Sequence, residues 1–184
     1  MKNIVGIVAL AIMASAGTGV AGELQSGLQV GDYPDAFYVT DVTGPSAGEN
    51  LCYRCRYGAR PVVSIFARSM DDSVKKLVKQ IDDVVVRHYK EERMAAFVVL
   101  LTDRPKEQEK SLIATAKEQK LSYTPLTTYR KAGGPRKYRI HEEAAVTVMM
   151  WVDSDVKNNH AFAKGTLTND AIKRVVADTS KILN

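Results

Sequence analysis

Pro61-Val62-Val63-Ser64-Ile65-Phe66-Ala67, continued by Arg68-Ser69-Met70-Asp71-Asp72, is the stretch on which the fold turns. Its first seven residues form a β-branched run without polar alternation, as a strand buried on both faces requires. Ser69 is placed to cap a helix, with the carboxylate of Asp72 three residues on. Val74, Leu77, Val78, Ile81, Val84 and Val85 then follow at helical spacing, and the helix is expected to end near Tyr89. The unit recurs downstream. Ala95 to Leu101 reads as a second buried strand, and Asp103-Arg104-Pro105 opens a weaker helix to about Lys120. The polar stretch from Ser122 to Glu143, with Gly133-Gly134-Pro135, is expected to be mostly loop. Ala145 to Val152 reads as a third strand, Asp153 to Asn159 as a turn, and Ala161-Phe162-Ala163 as the start of a short fourth strand. Thr168-Asn169-Asp170 caps a closing helix. Ahead of this core, Gly27 to Asp32 and Ala36 to Thr40 read as a short β extension.

The resulting order, β-α-β-α-β-β-α behind a β extension, defines an α/β fold. Two strand-helix-strand units favour parallel pairing with right-handed crossovers, and the short third-to-fourth link favours an antiparallel hairpin. A mixed central sheet covered by helices is expected. The chain has 184 residues, 45% of them hydrophobic and 26% charged, which fits one globular domain. Two cysteines exclude a disulfide-dense scaffold. A net charge of +5 is mild basicity and does not make a nucleic-acid arm.

Residues 1–21 carry one early cation, Lys2, an apolar run from Ile4 to Met13, and small residues to Ala21. That is the pattern of a signal peptide, with residues 22–184 as the folded domain. The other reading is an uncleaved anchor, but the run is shorter than the roughly 20 residues a bilayer needs. Export to a periplasm or the extracellular medium places Cys52 and Cys55 under oxidising conditions.

The order of elements, together with the leader Gln29-Val30-Gly31-Asp32-Tyr33-Pro34-Asp35-Ala36-Phe37-Tyr38-Val39-Thr40-Asp41-Val42-Thr43-Gly44, resembles the thioredoxin-like superfamily. The leader is similar to the opening of its redoxin branch, the alkyl hydroperoxide reductase and thiol-specific antioxidant proteins. That resemblance implies an attacking cysteine just after the first core strand, where a helix N-terminus lowers its pKa. It also implies a cis-proline before the third core strand. Here the two places read Ala67-Arg68-Ser69-Met70-Asp71-Asp72-Ser73 and His141-Glu142-Glu143-Ala144-Ala145-Val146-Thr147, without cysteine or proline. Peroxidase chemistry at the usual site is not expected.

The CxxC pair lies instead in Leu51-Cys52-Tyr53-Arg54-Cys55-Arg56-Tyr57-Gly58-Ala59-Arg60, ahead of the first core strand. A seven-residue strand spans about 23 Å, whereas the link from Arg56 to Arg60 reaches at most about 17 Å. The pair is therefore expected at the N-terminal pole of the parallel strands. Three uses fit it. Thiol–disulfide exchange or redox sensing would draw on Arg54, Arg56 and Arg60 to stabilise a thiolate. A structural disulfide would pin the loop of a binding or structural module. A metal carrier for copper or zinc would add His160 to Cys52 and Cys55 if the third and fourth strands form a hairpin. Nothing calls for a cofactor. The partner expected is an exported thiol or disulfide protein, not nucleic acid. The basic loop with Arg130, Lys131, Arg136, Lys137 and Arg139 reads as solvated, or as a contact for an anionic polymer or partner protein.

Overall fold

The computed structural model describes residues 24–183, so the signal peptide expected at 1–21 lies outside the described residues. The elements are β1 (Val39–Asp41), β2 (Asn50–Leu51), α1 (Tyr53–Tyr57), β3 (Val62–Ala67), α2 (Asp72–His88), β4 (Ala95–Leu101) and α3 (Pro105–Glu118). There follow β5 (Leu126–Tyr129), a 3-10 turn (Arg136–Tyr138), β6 (Ala144–Val152), β7 (Asp155–Ala163), α4 (Asn169–Ala177) and a closing 3-10 turn (Asp178–Ile182).

The strands form one seven-stranded sheet in the order β2-β1-β5-β4-β3-β6-β7. β3, the strand read first from the sequence, lies between β4, to which it is parallel, and β6, to which it is antiparallel. All six of its residues are buried, which accounts for their apolar continuity. Its alternate side chains serve two cores. Val63, Ile65 and Ala67 pack under α2, α3 and α4 on one face. Val62 and Phe66 face Leu28, Phe37, Tyr53 and Tyr138 on the other. The second face is thus closed by α1 and irregular chain around an aromatic cluster. Among the described residues, no helix is long and apolar enough to cross a membrane.

Four local expectations need correction. The stretch from Ser122 to Glu143 contains β5, parallel to β4 and antiparallel to β1. Its Leu-Thr-Thr-Tyr reads as polar, yet Thr127 and Thr128 are buried, and the Thr127 hydroxyl donates to Val98 O at 2.7 Å. The turn expected over Asp153 to Asn159 is only Asp153-Ser154, both with positive φ (53° and 65°), as a tight two-residue hairpin turn demands. β7 consequently runs nine residues. Its polar side chains carry tertiary bonds: Asn159 Nδ2 donates to Ser26 O and Leu28 O. Helix α2 is capped by Asp71, whose carboxylate accepts from Val74 N, while the Ser69 hydroxyl donates to Asp71. Finally, Gly27 to Asp32 is not a strand. It lies across β7 through Gly31 N to Val156 O and Val156 N to Asp32 O.

Candidate functional site

Cys52 is the N-cap of α1, and its Sγ accepts from Cys55 N at 3.0 Å. The two cysteines are joined as a disulfide with their Cα atoms 5.2 Å apart. Their surroundings differ. Cys52 is 7% exposed, whereas Cys55 is open to solvent. The helix ends after five residues at Gly58, whose φ of 59° and ψ of −125° favour a residue without Cβ. Asp153 N donates to Ala59 O, and Ala95 N to Pro61 O. These bonds place the disulfide segment at the N-terminal ends of β3 and β4, beside the β6–β7 turn.

The two residues between the cysteines anchor the helix. Tyr53 is 1% exposed; its ring stacks on Phe97 at 5.5 Å and its hydroxyl donates to Asp41 Oδ2 at 2.9 Å. Buried Asp41 also accepts from Gly44 N and Ser46 N. A Cβ at Gly44 would collide with the Tyr53 hydroxyl and the Asp41 carboxylate, so the turn must carry glycine there. Burial pushes the Tyr53 hydroxyl far above its ordinary pKa, and its bond to Asp41 adds to the rise. Burial likewise holds Tyr57 well above the usual range, with Arg56 opposing.

Arg54 is buried on the opposite flank of the helix. Its Nε donates to Pro34 O at 2.8 Å, and its Nη2 to Tyr33 Oη at 3.0 Å and to Ser154 Oγ at 2.7 Å. The guanidinium lies over the Tyr33 ring, 5.1 Å from the centroid. This side chain clamps α1 to the N-terminal segment and to the β6–β7 turn. Arg56, expected with Arg54 to stabilise a thiolate, is exposed and donates to Ser46 Oγ at 3.1 Å.

His160 is not brought to the cysteines. It sits within β7 opposite Val148, and its Nε2 lies 2.9 Å from Asp178 Oδ2. Burial lowers its pKa while Asp178 opposes that shift. Among the described residues, no three His, Cys, Asp or Glu side chains are grouped to hold a metal ion.

At the other end of β3, where the resemblance implies a reactive cysteine, Arg68 follows the strand directly. It donates to Ala144 O, Ala132 O and His141 O at 2.9, 2.5 and 3.0 Å. Three backbone carbonyls meet a cation there, and Asp71 caps the helix beyond.

Beside α1 runs a cleft of about 650 Å³. Tyr53, Arg56, Tyr57 and Arg60 form one wall, and Tyr89, from the end of α2, and Tyr123 form part of the other. Sequence reasoning missed this cleft together with Asp41 and Tyr53. The spacing of Asp41 and Gly44, which suits a side-chain-capped turn, is the one local signal for them.

No protein-family model matches the chain, and no curated protein matches it. Solved structures do. A candidate protein disulfide isomerase from Bacteroides thetaiotaomicron superposes with a TM-score of 0.65 at 15% identity, covering 87% of this chain and 94% of its own. The peroxidoxin BcpB from Mycobacterium tuberculosis gives 0.60 at 16% identity, covering 85% and 99%. A DsbE-type thiol:disulfide interchange protein from Chlorobium tepidum gives 0.58 at 13% identity, covering 83% and 99%. The fold is therefore thioredoxin-like, as the element order implies.

Proposed function

We propose that this thioredoxin-like protein performs thiol–disulfide exchange through Cys52 and Cys55, with Cys55 as the sulfur that meets the partner. The observation that carries the reading is the asymmetry of the pair on an independently anchored helix. Cys55 is exposed and Cys52 buried, while Tyr53 and Arg54 fix α1 without using either sulfur. A partner thiolate attacks Cys55 Sγ, the Cys52–Cys55 bond breaks, and Cys52 leaves as a thiolate. The Cys55 N–H that already points at Cys52 Sγ holds that charge. In the reverse direction the Cys55 thiolate attacks a partner disulfide, and Cys52 then resolves the mixed disulfide by expelling the second partner thiolate. Redox sensing is the same pair of steps without turnover.

A purely structural clip is less well supported. The loop closed by residues three apart is short, and the chain-entropy relation gives it only about 2 kcal/mol. Export through residues 1–21, to a periplasm or the extracellular medium, belongs to the same proposal because it supplies oxidised partners. The Bacteroides and Chlorobium neighbours, described as a candidate disulfide isomerase and an interchange protein, accord with this chemistry. The partner is then an exported thiol or disulfide protein.

Single-cysteine variants test the assignment. Cys52→Ser should accumulate a mixed disulfide at Cys55 with a small aromatic disulfide reagent, and wild type should resolve it. The thiol left in Cys55→Ser should react at least about tenfold more slowly, because Cys52 is buried and access to the sulfur limits the rate. Equal rates in the two variants, or a faster Cys52, would refute it.

A further inference from the structure

The wall of the cleft begins at the residue after Cys55. Arg56 and Arg60 both line it, and neither forms an ion pair among the described residues. Among the described residues, no acidic side chain lines the same space. Glu92 and Asp153 border a neighbouring depression shared with both Arg56 and Arg60, where Arg93 accompanies them. Across from the arginines, Tyr89 and Tyr123 stack at 4.3 Å, each 42% exposed. At the floor Thr124 is 3% exposed, and its hydroxyl meets no hydrogen-bond partner among the described residues. The volume, about 650 Å³, falls within the range of small-molecule sites. Two guanidinium groups that make no ion pair among the described residues, one of them on the residue that follows solvent-open Cys55, favour a carboxylate-bearing occupant, since guanidinium matches carboxylate in both charge and geometry.

We infer that this cleft receives a small, carboxylate-bearing disulfide as the oxidant of the Cys52–Cys55 dithiol, with Arg56 and Arg60 holding its carboxylates. The inference rests on the exchange reading above and names its substrate class. The step balances. The Cys55 thiolate attacks one sulfur of the small disulfide and releases one carboxylate-bearing thiolate. Cys52, deprotonated to solvent, then attacks Cys55 Sγ, forms the protein disulfide and releases the second. The dithiol loses two electrons, and the small disulfide gains them as two thiols.

The reduced full-length domain is mixed in turn with glutathione disulfide, hydroxyethyl disulfide and cystamine, which are anionic, neutral and cationic, and the rate of Cys52–Cys55 closure is followed. Each rate is divided by the hydroxyethyl disulfide rate for the same protein, which removes any change in thiolate reactivity. Wild type should prefer glutathione disulfide by about tenfold or more at low salt, the size expected of charge steering into a cleft. The preference should shrink as salt is raised. In Arg56→Gln/Arg60→Gln the ratio should fall to about 1, and in the double Glu variant cystamine should become the faster oxidant. S-methylglutathione, which cannot exchange, should bind wild type and lose its affinity in the double Gln variant. A wild-type ratio near 1, or one that survives both substitutions, would overturn the inference. If wild type reacts with all three reagents alike, exchange stands and only the cleft assignment falls. If none of the three oxidises the dithiol, the exchange reading falls with it.

Discussion

The two ends of β3 use arginine in opposite ways. At the C-terminal end, in the segment where the resemblance implies the attacking sulfur, Arg68 reaches three carbonyls. At the N-terminal end Arg54 is buried as a clamp, while Arg56 and Arg60 line an open cleft without an ion pair among the described residues, just after exposed Cys55 in the chain. One pole is closed by its polar bonds; the other keeps charge and sulfur accessible. The fold therefore does not fix where chemistry resides. The same sheet supports a sealed pole and an open one, according to which side chains meet the backbone carbonyls at each end.

Alkali should break the N-terminal pole first and with the largest effect. In the unfolded chain tyrosine loses its proton at about 10, whereas burial holds Tyr53 and Tyr57 protonated well beyond that. The folded state thus binds more protons above that pH, so stability is full below it and falls as pH rises. Urea unfolding between neutral and strongly alkaline pH should show this loss. Tyr57→Phe should lessen it while changing neutral stability little, because the Tyr57 hydroxyl bond to Ala96 O is long at 3.5 Å. An unchanged alkaline slope in that variant would remove Tyr57 from the account.

A smaller effect separates the arginines. Arg54→Ala should destabilise the domain by about 3 kcal/mol, since several buried acceptors lose a charged donor. Arg56→Ala should stay within about 0.5 kcal/mol. Denaturant midpoints measure both, and equal losses would show that Arg54 is not the clamp described.

At the closed pole the effect is smaller again. Asp71→Ala should cost about 1 kcal/mol as the true cap of α2, and Ser69→Ala should cost less. The reverse order in thermal unfolding would restore Ser69 as the cap.

The sequence made β3, β4 and β6 legible because each is buried on both faces and so written almost wholly in apolar residues, with Ser64 and Thr147 the polar ones. β5 and the first part of β7 escaped because they are short or at the edge, and their Thr and Asn side chains find partners remote in the chain; only Ala161 to Ala163 of β7 was read as strand. The place of Cys52 and Cys55 followed from chain reach alone. Their unequal exposure did not, because it depends on which side of a five-residue helix meets Phe97 and the sheet. Nor did the burial of Arg54, whose acceptors Pro34 and Ser154 come from opposite ends of the domain. His160 was read into the link at the cysteine pole, ahead of a strand expected from Ala161, but β7 already runs from Asp155 and carries it to Asp178 and away from the sulfurs.

On the exchange reading, the Cys52–Cys55 disulfide opens and closes on a helix that stays in place. Equilibration of the folded domain in glutathione buffers of defined ratio, followed by alkylation and intact mass, gives the reduction potential of the pair. A cycling pair predicts a value between roughly −120 and −270 mV, the range of exchange proteins. It also predicts a reduced form less stable than the oxidised form by no more than about 2 kcal/mol. A potential below about −300 mV, with Cys55 inert to alkylation until the domain unfolds, would contradict the account and make the disulfide a structural clip.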